Sequence, residues 1–196
     1  SATQIRSTGI GSISLTGTGS SAGGSDNDGI SMIGNSQIEG VDGSVTLDGI
    51  GGAGSSSEGL FMRDGSFITV NGMGAVTLTG SGDSTSGVGL EGDVLTQSGD
   101  IVLRGTSVSN VGLVLTSTTT IGGANAIGDL TLEADNLTVS GALLQSSGAL
   151  TIAPFTANST FTPTLGTIPS GFSSVTIGSA TTGTVNLTAS TFNTDV

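Results

Sequence analysis

Gly43-Ser44-Val45-Thr46-Leu47 contains the pattern that decides the fold: glycine, a small residue, an aliphatic residue, any residue and a second aliphatic residue. We write this pattern GxΦxΦ, where Φ is an aliphatic residue. Seven copies occur in the 196 residues, 20 to 35 residues apart, and they begin at Gly11, Gly43, Gly74, Gly99, Gly128, Gly148 and Gly183. An alternating run that recurs at this scale indicates a repeat architecture.

Each repeat contains three short alternating runs. In the second repeat they are residues 45–47, 60–62 and 67–70, separated mostly by Gly, Ser, Asn and Asp. Alternation places the aliphatic side chains of a run on one face, and the residues between the runs favour turns. Glycine interrupts every candidate helix. The sequence therefore predicts an all-β parallel β-helix (β-solenoid) of about seven coils, with three short strands per coil stacked about 4.8 Å apart.

The regularity of the repeats divides the chain into two parts. Residues 1–127 are predicted to form regular coils, with corner loops after the first strand that shorten from coil to coil. Residues 128–196 are predicted to continue the β-helix, with an irregular insertion around 153–172, because the three prolines there cannot donate to a strand ladder. Since residues 3–7 precede the first pattern as residues 36–40 precede the second, we expect a segment of a longer array.

Composition excludes several classes of function. The net charge is −12, with 3 Arg and Lys against 15 Asp and Glu, which argues against nucleic acid and against anionic membranes. There is no Cys and no His, so disulfides, thiol chemistry and the usual proton shuttle are absent. No apolar run is long enough to span a membrane as a helix, so we expect no membrane insertion. The acidic charge suits a secreted surface, and without disulfides the stability of the chain must come from stacking and hydrogen bonding.

Two stretches, residues 28–52 and residues 128–139, resemble the repeats of filamentous-haemagglutinin-like exoproteins, which bacteria export by two-partner secretion. The resemblance lies in composition and period, and it extends over most of the chain. It implies a right-handed parallel β-helix, display outside the cell or on its surface, and a role in adhesion or as a rigid stalk. It carries over no catalytic residues, and the secretion domain of that family is not evident in this sequence.

One acidic turn is a candidate metal site. Asp26, Asn27 and Asp28 follow Gly24-Ser25 in a tight, glycine-flanked loop, and hard cations such as calcium bind several oxygen ligands on such turns. The turn lacks the downstream glutamate of an EF-hand and does not recur along the chain. A solvated turn is the alternative interpretation, and no other cofactor is expected.

Two further activities remain open from the sequence. Glu91, Asp93 and Asp100 lie near one repeat junction, and paired carboxylates can cleave glycosidic bonds, so a carbohydrate-binding or carbohydrate-cleaving β-helix is the first alternative. The Thr-x-Thr pairs 16/18, 77/79 and 118/120 suggest an ice-binding solenoid, although they do not recur at one place in every repeat.

The leading prediction is a non-catalytic structural and adhesive segment of a large secreted or cell-surface bacterial protein. We expect its partners to be neighbouring repeats or copies of itself stacked end to end, since unpaired strand edges template pairing. Surface polysaccharide or a host or cell surface is the other expected class of partner.

Overall fold

A computed structural model describes residues 3–158, 160–187 and 190–193, and within them the chain is a solenoid of stacked coils. The described residues contain 23 strands and no helix, and therefore no helix that could cross a membrane. All pairings between these strands are parallel, as adjacent coils of a β-helix require. The predicted fold class is confirmed, with about six turns and three strands per turn.

The strands are short and are numbered here in chain order. They are β1 (Gln4–Arg6), β2 (Ile13–Thr18), β3 (Ile30–Met32), β4 (Gln37–Gly40), β5 (Val45–Ile50), β6 (Leu60–Met62), β7 (Phe67–Val70), β8 (Val76–Gly82), β9 (Val88–Leu90), β10 (Asp93–Thr96), β11 (Ile101–Ser107), β12 (Leu113–Leu115), β13 (Thr120–Gly122), β14 (Leu130–Glu133), β15 (Leu137–Val139), β16 (Leu143–Gln145), β17 (Ala149–Ala153), β18 (Thr160–Phe161), β19 (Thr164–Leu165), β20 (Thr167–Ile168), β21 (Ser174–Ile177), β22 (Thr184–Val185) and β23 (Thr191–Phe192).

Three sheets run along the solenoid. The first sheet has the order β2-β5-β8-β11-β14-β17-β21, the second β3-β6-β9-β12-β15-β19 and the third β1-β4-β7-β10-β13-β16. Each coil from β2 to β16 visits the first, second and third sheets in turn, and β1 occupies the third-sheet position before the first complete coil. The coil that begins with β17 adds β19 to the second sheet but no strand to the third. Two small pairs, β18-β22 and β20-β23, lie outside these sheets.

The aliphatic positions of GxΦxΦ form two buried ladders in the first sheet. Val45 pairs with Ile13 on one side and with Val76 on the other, and Leu47 lies between Leu15 and Leu78 in the same way. Val45 and Leu47 are fully buried. Because alternate residues of a strand point to opposite faces, the in-register pairing turns a five-residue pattern into a continuous aliphatic core.

The copy of the pattern at Gly183 does not join this ladder, so the prediction of a seventh equivalent copy there is wrong. The seventh strand of the first sheet is β21, whose Val175 and Ile177 pair with Leu150 and Ile152 of β17. Thr184 and Val185 pair instead with Thr160 and Phe161 of the preceding connection. Register with the coil before it, rather than the local pattern, selects the strand that extends the sheet.

Candidate functional site

The corner loops between the first and second sheets are ordered and stack on one another. They span residues 19–29, 51–59, 83–87 and 108–112, and we call them together the corner-loop stack. The first-sheet strands that precede them extend past the aliphatic pattern into the adjoining Gly, Ser and Thr residues. The next connection, 134–136, is shorter still, so the stack forms a stepped edge along one side of the solenoid.

Hydrogen bonds join each loop of the corner-loop stack to the next. The Asp26 backbone N–H donates to Ser55 O at 3.1 Å, and the Ser55 N–H donates to Gly24 O at 3.0 Å. The Ser84 hydroxyl donates to Gly54 O at 2.5 Å, and the Ser109 hydroxyl donates to Asp83 O at 3.0 Å. The loops thus continue the coil-to-coil pairing of the sheets instead of standing free.

The predicted calcium ligands lie in the first loop of this stack and bond to the second. The Asn27 amide Nδ2 donates to Ala53 O at 2.8 Å, and Asp28 Oδ1 accepts the backbone N–H of Glu58 at 3.0 Å. Asp26 has a φ of 56°, in the left-handed region that Asp tolerates. Within the described ranges, no three His, Cys, Asp or Glu side chains lie close enough together to hold a metal ion. Calcium at this turn stays a prediction.

Glu58 is a site residue that the sequence analysis missed. Burial raises the pKa of its carboxyl from 4.5 to about 7, against the lowering effect of a hydrogen bond from the Ser86 hydroxyl at 3.1 Å. The Asp28 and Glu91 carboxylates raise this pKa further, and the Arg63 guanidinium lowers it. No local sequence signal marks it, because its burial and its charged neighbours Asp28 and Glu91 come from the stacking of other coils.

Aspartates at the corners bind the backbone of the following coil. In each case one Oδ1 accepts the N–H of a residue 20 to 31 positions later, at 2.6 to 3.3 Å; the pairs are Asp28 with Glu58, Asp42 with Met73, Asp93 with Thr120, Asp100 with Asp129, Asp129 with Ala149, and Asp135 with Thr156. Two of these, Asp93 and Asp100, are the candidate acid–base residues of the sequence analysis. Their carboxylates therefore have a structural role, and glycoside cleavage stays a hypothesis.

The three arginines also lie beside carboxylates. Arg6 Nε is 3.2 Å from Glu39 Oε2, and Arg63 Nε is 3.4 Å from Asp64 Oδ2. Arg104 forms an ion pair with Glu133, its partner in the adjacent strand. With every Arg side chain paired, the excess of carboxylates leaves the surface acidic.

The outer face of the first sheet carries a row of residues that mostly bear hydroxyl groups, and the Thr-x-Thr pairs did not predict this row. The fourth residues of the first six copies pair in register as Ser14, Thr46, Thr77, Val102, Thr131 and Thr151, and Thr176 of β21 extends the row. Val102 is the one member of this row without a hydroxyl group. The neighbouring row is mixed, because Thr16 and Thr79 flank Asp48, and Arg104 and Glu133 follow. Thr120 lies in the third sheet, away from this face. Comparing the fourth positions of the first six copies would have predicted the row as far as Thr151.

Two open grooves cross neighbouring coils. The acidic groove, of about 380 Å³, contains Asp64, Glu91 and Asp93 beside the Phe67 ring. The amide groove, of about 350 Å³, lies where the third sheet turns toward the first, and it is lined by Thr69, Val70, Asn71, Leu95, Thr96, Gln97 and residues 122–126.

The comparisons with known proteins give no relative that would assign a role to these surfaces. No family model matches the chain, and no curated protein and no solved structure is detectably similar to it.

Proposed function

We propose that this chain is a structural and adhesive segment of a large secreted or cell-surface bacterial protein of the filamentous-haemagglutinin-like kind. The observation that supports the proposal is the continuous coil-to-coil stacking. Strand edges, pattern glycines and corner carboxylates all bond or pack against the next coil. A chain organised in this way serves as a stiff spacer that presents its side faces to the surroundings.

The proposed partners are neighbouring repeats or further copies stacked end to end, together with surface polysaccharide or a cell surface. The same parallel pairing that joins one coil to the next would extend across such a junction. The net charge of −12 disfavours nucleic acid as a partner.

Adhesion and assembly are tested separately with the purified chain. Microspheres coated with the protein should be retained on bacterial or host cells more than microspheres coated with an acidic globular protein of similar charge. Electron microscopy and light scattering at rising concentration should show end-to-end filaments. Equal retention of both kinds of microsphere would contradict the adhesive role, and a monomer at every concentration would contradict assembly.

Ice binding is a second candidate, favoured by the hydroxyl row on the first sheet. In-register threonines on a regular sheet present hydroxyl and methyl groups at the spacing of the coils. Thermal hysteresis in dilute solution is the test, with Thr77→Lys and Thr131→Lys as variants that interrupt the row. A freezing behaviour identical in the native chain and the variants would remove this candidate.

A further inference from the structure

The amide groove differs in charge from the rest of the molecule. It crosses three consecutive coils at the ends of β7, β10 and β13, and none of its lining residues carries a charge. The chain as a whole has a net charge of −12, the acidic groove contains three carboxylates, and a third groove of about 330 Å³ beside the corner loops contains Asp83. Because the lining has no charged group, it cannot bind a ligand through ion pairs, and a ligand of this groove should be neutral.

Glycine backbone and the Leu95 side chain form part of the lining of the amide groove. Gly122 and Gly123 have φ values of 96° and 149°, and a Cβ on Gly122 would lie 1.8 Å from Gln145 O. Leu95 is half-buried, and its neighbour in the sheet is Gly122, which has no side chain to cover it. The glycines therefore leave a shallow apolar surface exposed between polar rims.

Amide side chains form the rims. Gln97 and Asn125 are exposed, and among the described residues no hydrogen bond occupies their side-chain amides. The Asn71 amide oxygen has a long contact of 3.5 Å with the Thr69 hydroxyl. The backbone that carries the amides is held firmly, since the Gln97 N–H donates to Val70 O at 3.1 Å and Gln97 O accepts the Ile127 N–H at 3.1 Å.

We propose that the amide groove binds a neutral polysaccharide. Each amide offers both donors and an acceptor, and sugar hydroxyls also act as both, so Asn71, Gln97 and Asn125 can bond successive hydroxyls. The exposed flank of Leu95 fits the C–H face of a sugar ring. The volume of about 350 Å³ falls in the range of about 300–1,000 Å³ typical of small-ligand sites. This inference rests on the proposed adhesive function and names the class of ligand.

Nuclear magnetic resonance of the full chain tests the proposal with defined probes. Cellotetraose and mannotetraose are the neutral probes, and tetragalacturonate is the anionic comparison, each titrated to millimolar concentration. We expect a neutral tetrasaccharide to shift the side-chain amide signals of Gln97 and Asn125 and the backbone signals of residues 122–126. Tetragalacturonate should shift none of these signals, because the surrounding carboxylates repel it.

Variants distinguish binding at the amide groove from nonspecific binding of sugars elsewhere on the protein. Because each lost neutral hydrogen bond costs about 1 kcal/mol, the double variant Gln97→Ala/Asn125→Ala should weaken neutral-sugar binding by about tenfold or more. Gln4→Ala, the same change at an exposed glutamine elsewhere in the third sheet, should leave binding unchanged. The proposal is overturned if no neutral probe shifts these signals, if only the uronate does, or if the double variant binds as the native chain does.

The microsphere assay keeps this inference distinct from the proposed function. Retention on cells without any neutral-sugar shift would overturn the groove proposal and leave the adhesive role standing. Neutral-sugar binding without retention on cells would contradict the adhesive role and leave the groove proposal standing.

Discussion

The glycine of GxΦxΦ is required by the close approach of neighbouring coils. A Cβ on Gly43 would lie 2.1 Å from Gly11 O, and a Cβ on Gly99 would lie 1.9 Å from Gly74 O. Neither glycine has a φ in the left-handed region, so backbone torsion does not explain why each copy of the pattern begins with glycine. Any side chain at these positions would press on a carbonyl of the previous coil.

Gly99→Ala is therefore expected to destabilise the protein by at least about 2 kcal/mol, the scale of overpacking in a close-packed interior. Gly9→Ala is the matched control, because a Cβ there meets nothing within 4 Å, and its effect should stay within about 0.5 kcal/mol. Urea unfolding of both variants measures the difference. Equal midpoints for the two variants would contradict the close-approach explanation.

Glu58 links stability to pH. Its pKa in the folded protein, about 7, lies above the value of 4.5 expected when exposed, so the folded state binds a proton more tightly. The stabilising contribution is complete below pH 4.5 and is lost as the pH rises to about 7. A full shift of this size corresponds to about 3 kcal/mol. Because the carboxyl is only half-buried, solvent screening reduces the expected loss to about 1 kcal/mol.

Glu58→Gln should remove this pH dependence and make the variant more stable than the native chain above pH 7. Thermal unfolding between pH 4 and pH 8 measures the effect. Asp48→Asn, a neutralisation at an exposed position of the first sheet, is the control and should leave the profile unchanged. A native profile that rises with pH in this window, or an unaltered profile in Glu58→Gln, would be inconsistent with a proton held at Glu58.

At the scale of the elements, polar corners complement the apolar strands. The strands bury aliphatic side chains, and the corners leave backbone N–H groups that need acceptors. Six aspartates supply them from the preceding coil. Part of the acidic composition is thus explained by coil stacking, since a carboxylate accepts strongly from an N–H group.

Asp100 tests this role. Its Oδ1 accepts the Asp129 N–H at 2.8 Å, so Asp100→Ala should cost about 1.5–3 kcal/mol, the range for hydrogen bonds to charged groups. Asp100→Asn retains an acceptor oxygen and should cost less. Urea unfolding distinguishes the two variants, with Asp48→Ala as a control. A similar cost for Asp100→Ala and Asp48→Ala would show that the corner bond adds no stability.

At the scale of the whole molecule, stability is expected to be a sum over neighbouring coils. Each coil contacts the coils before and after it, so central strands have two partners and the outermost strands have one. The burial pattern agrees, because Val76 and Leu78 in β8 are fully buried, whereas all residues of β1 are exposed.

Amide hydrogen exchange should therefore be slowest in β8 and β11 and fastest in β1 and β21. Exchange followed by nuclear magnetic resonance or mass spectrometry gives the order directly. Equal protection in all coils would instead indicate a single cooperative unit and would contradict the nearest-neighbour description.

Much of the architecture was predictable because it is repeated. Val45 and Leu47 belong to a local pattern that recurs along the chain, and equivalent positions of its copies can be aligned. Strand positions, sheet pairing and inward faces could therefore be predicted from the sequence. The pattern at Gly183 gave a wrong prediction, because a local pattern does not determine which strand pairs in register with the preceding coil. Glu58 was not predictable, because its pKa is raised first by burial and then by Asp28 and Glu91, and all of these arise from the packing of other coils.

The sequence by itself determined the class of fold, the three strands per coil and the acidic surface, because alternation, glycine spacing and composition act locally and recur. The tertiary structure alone decided which strand continues the first sheet, how the corner loops stack, and which side chains form the amide groove and the hydroxyl row. Those features join residues 20 to 32 positions apart, and their contacts form only once each coil has closed upon the one before it.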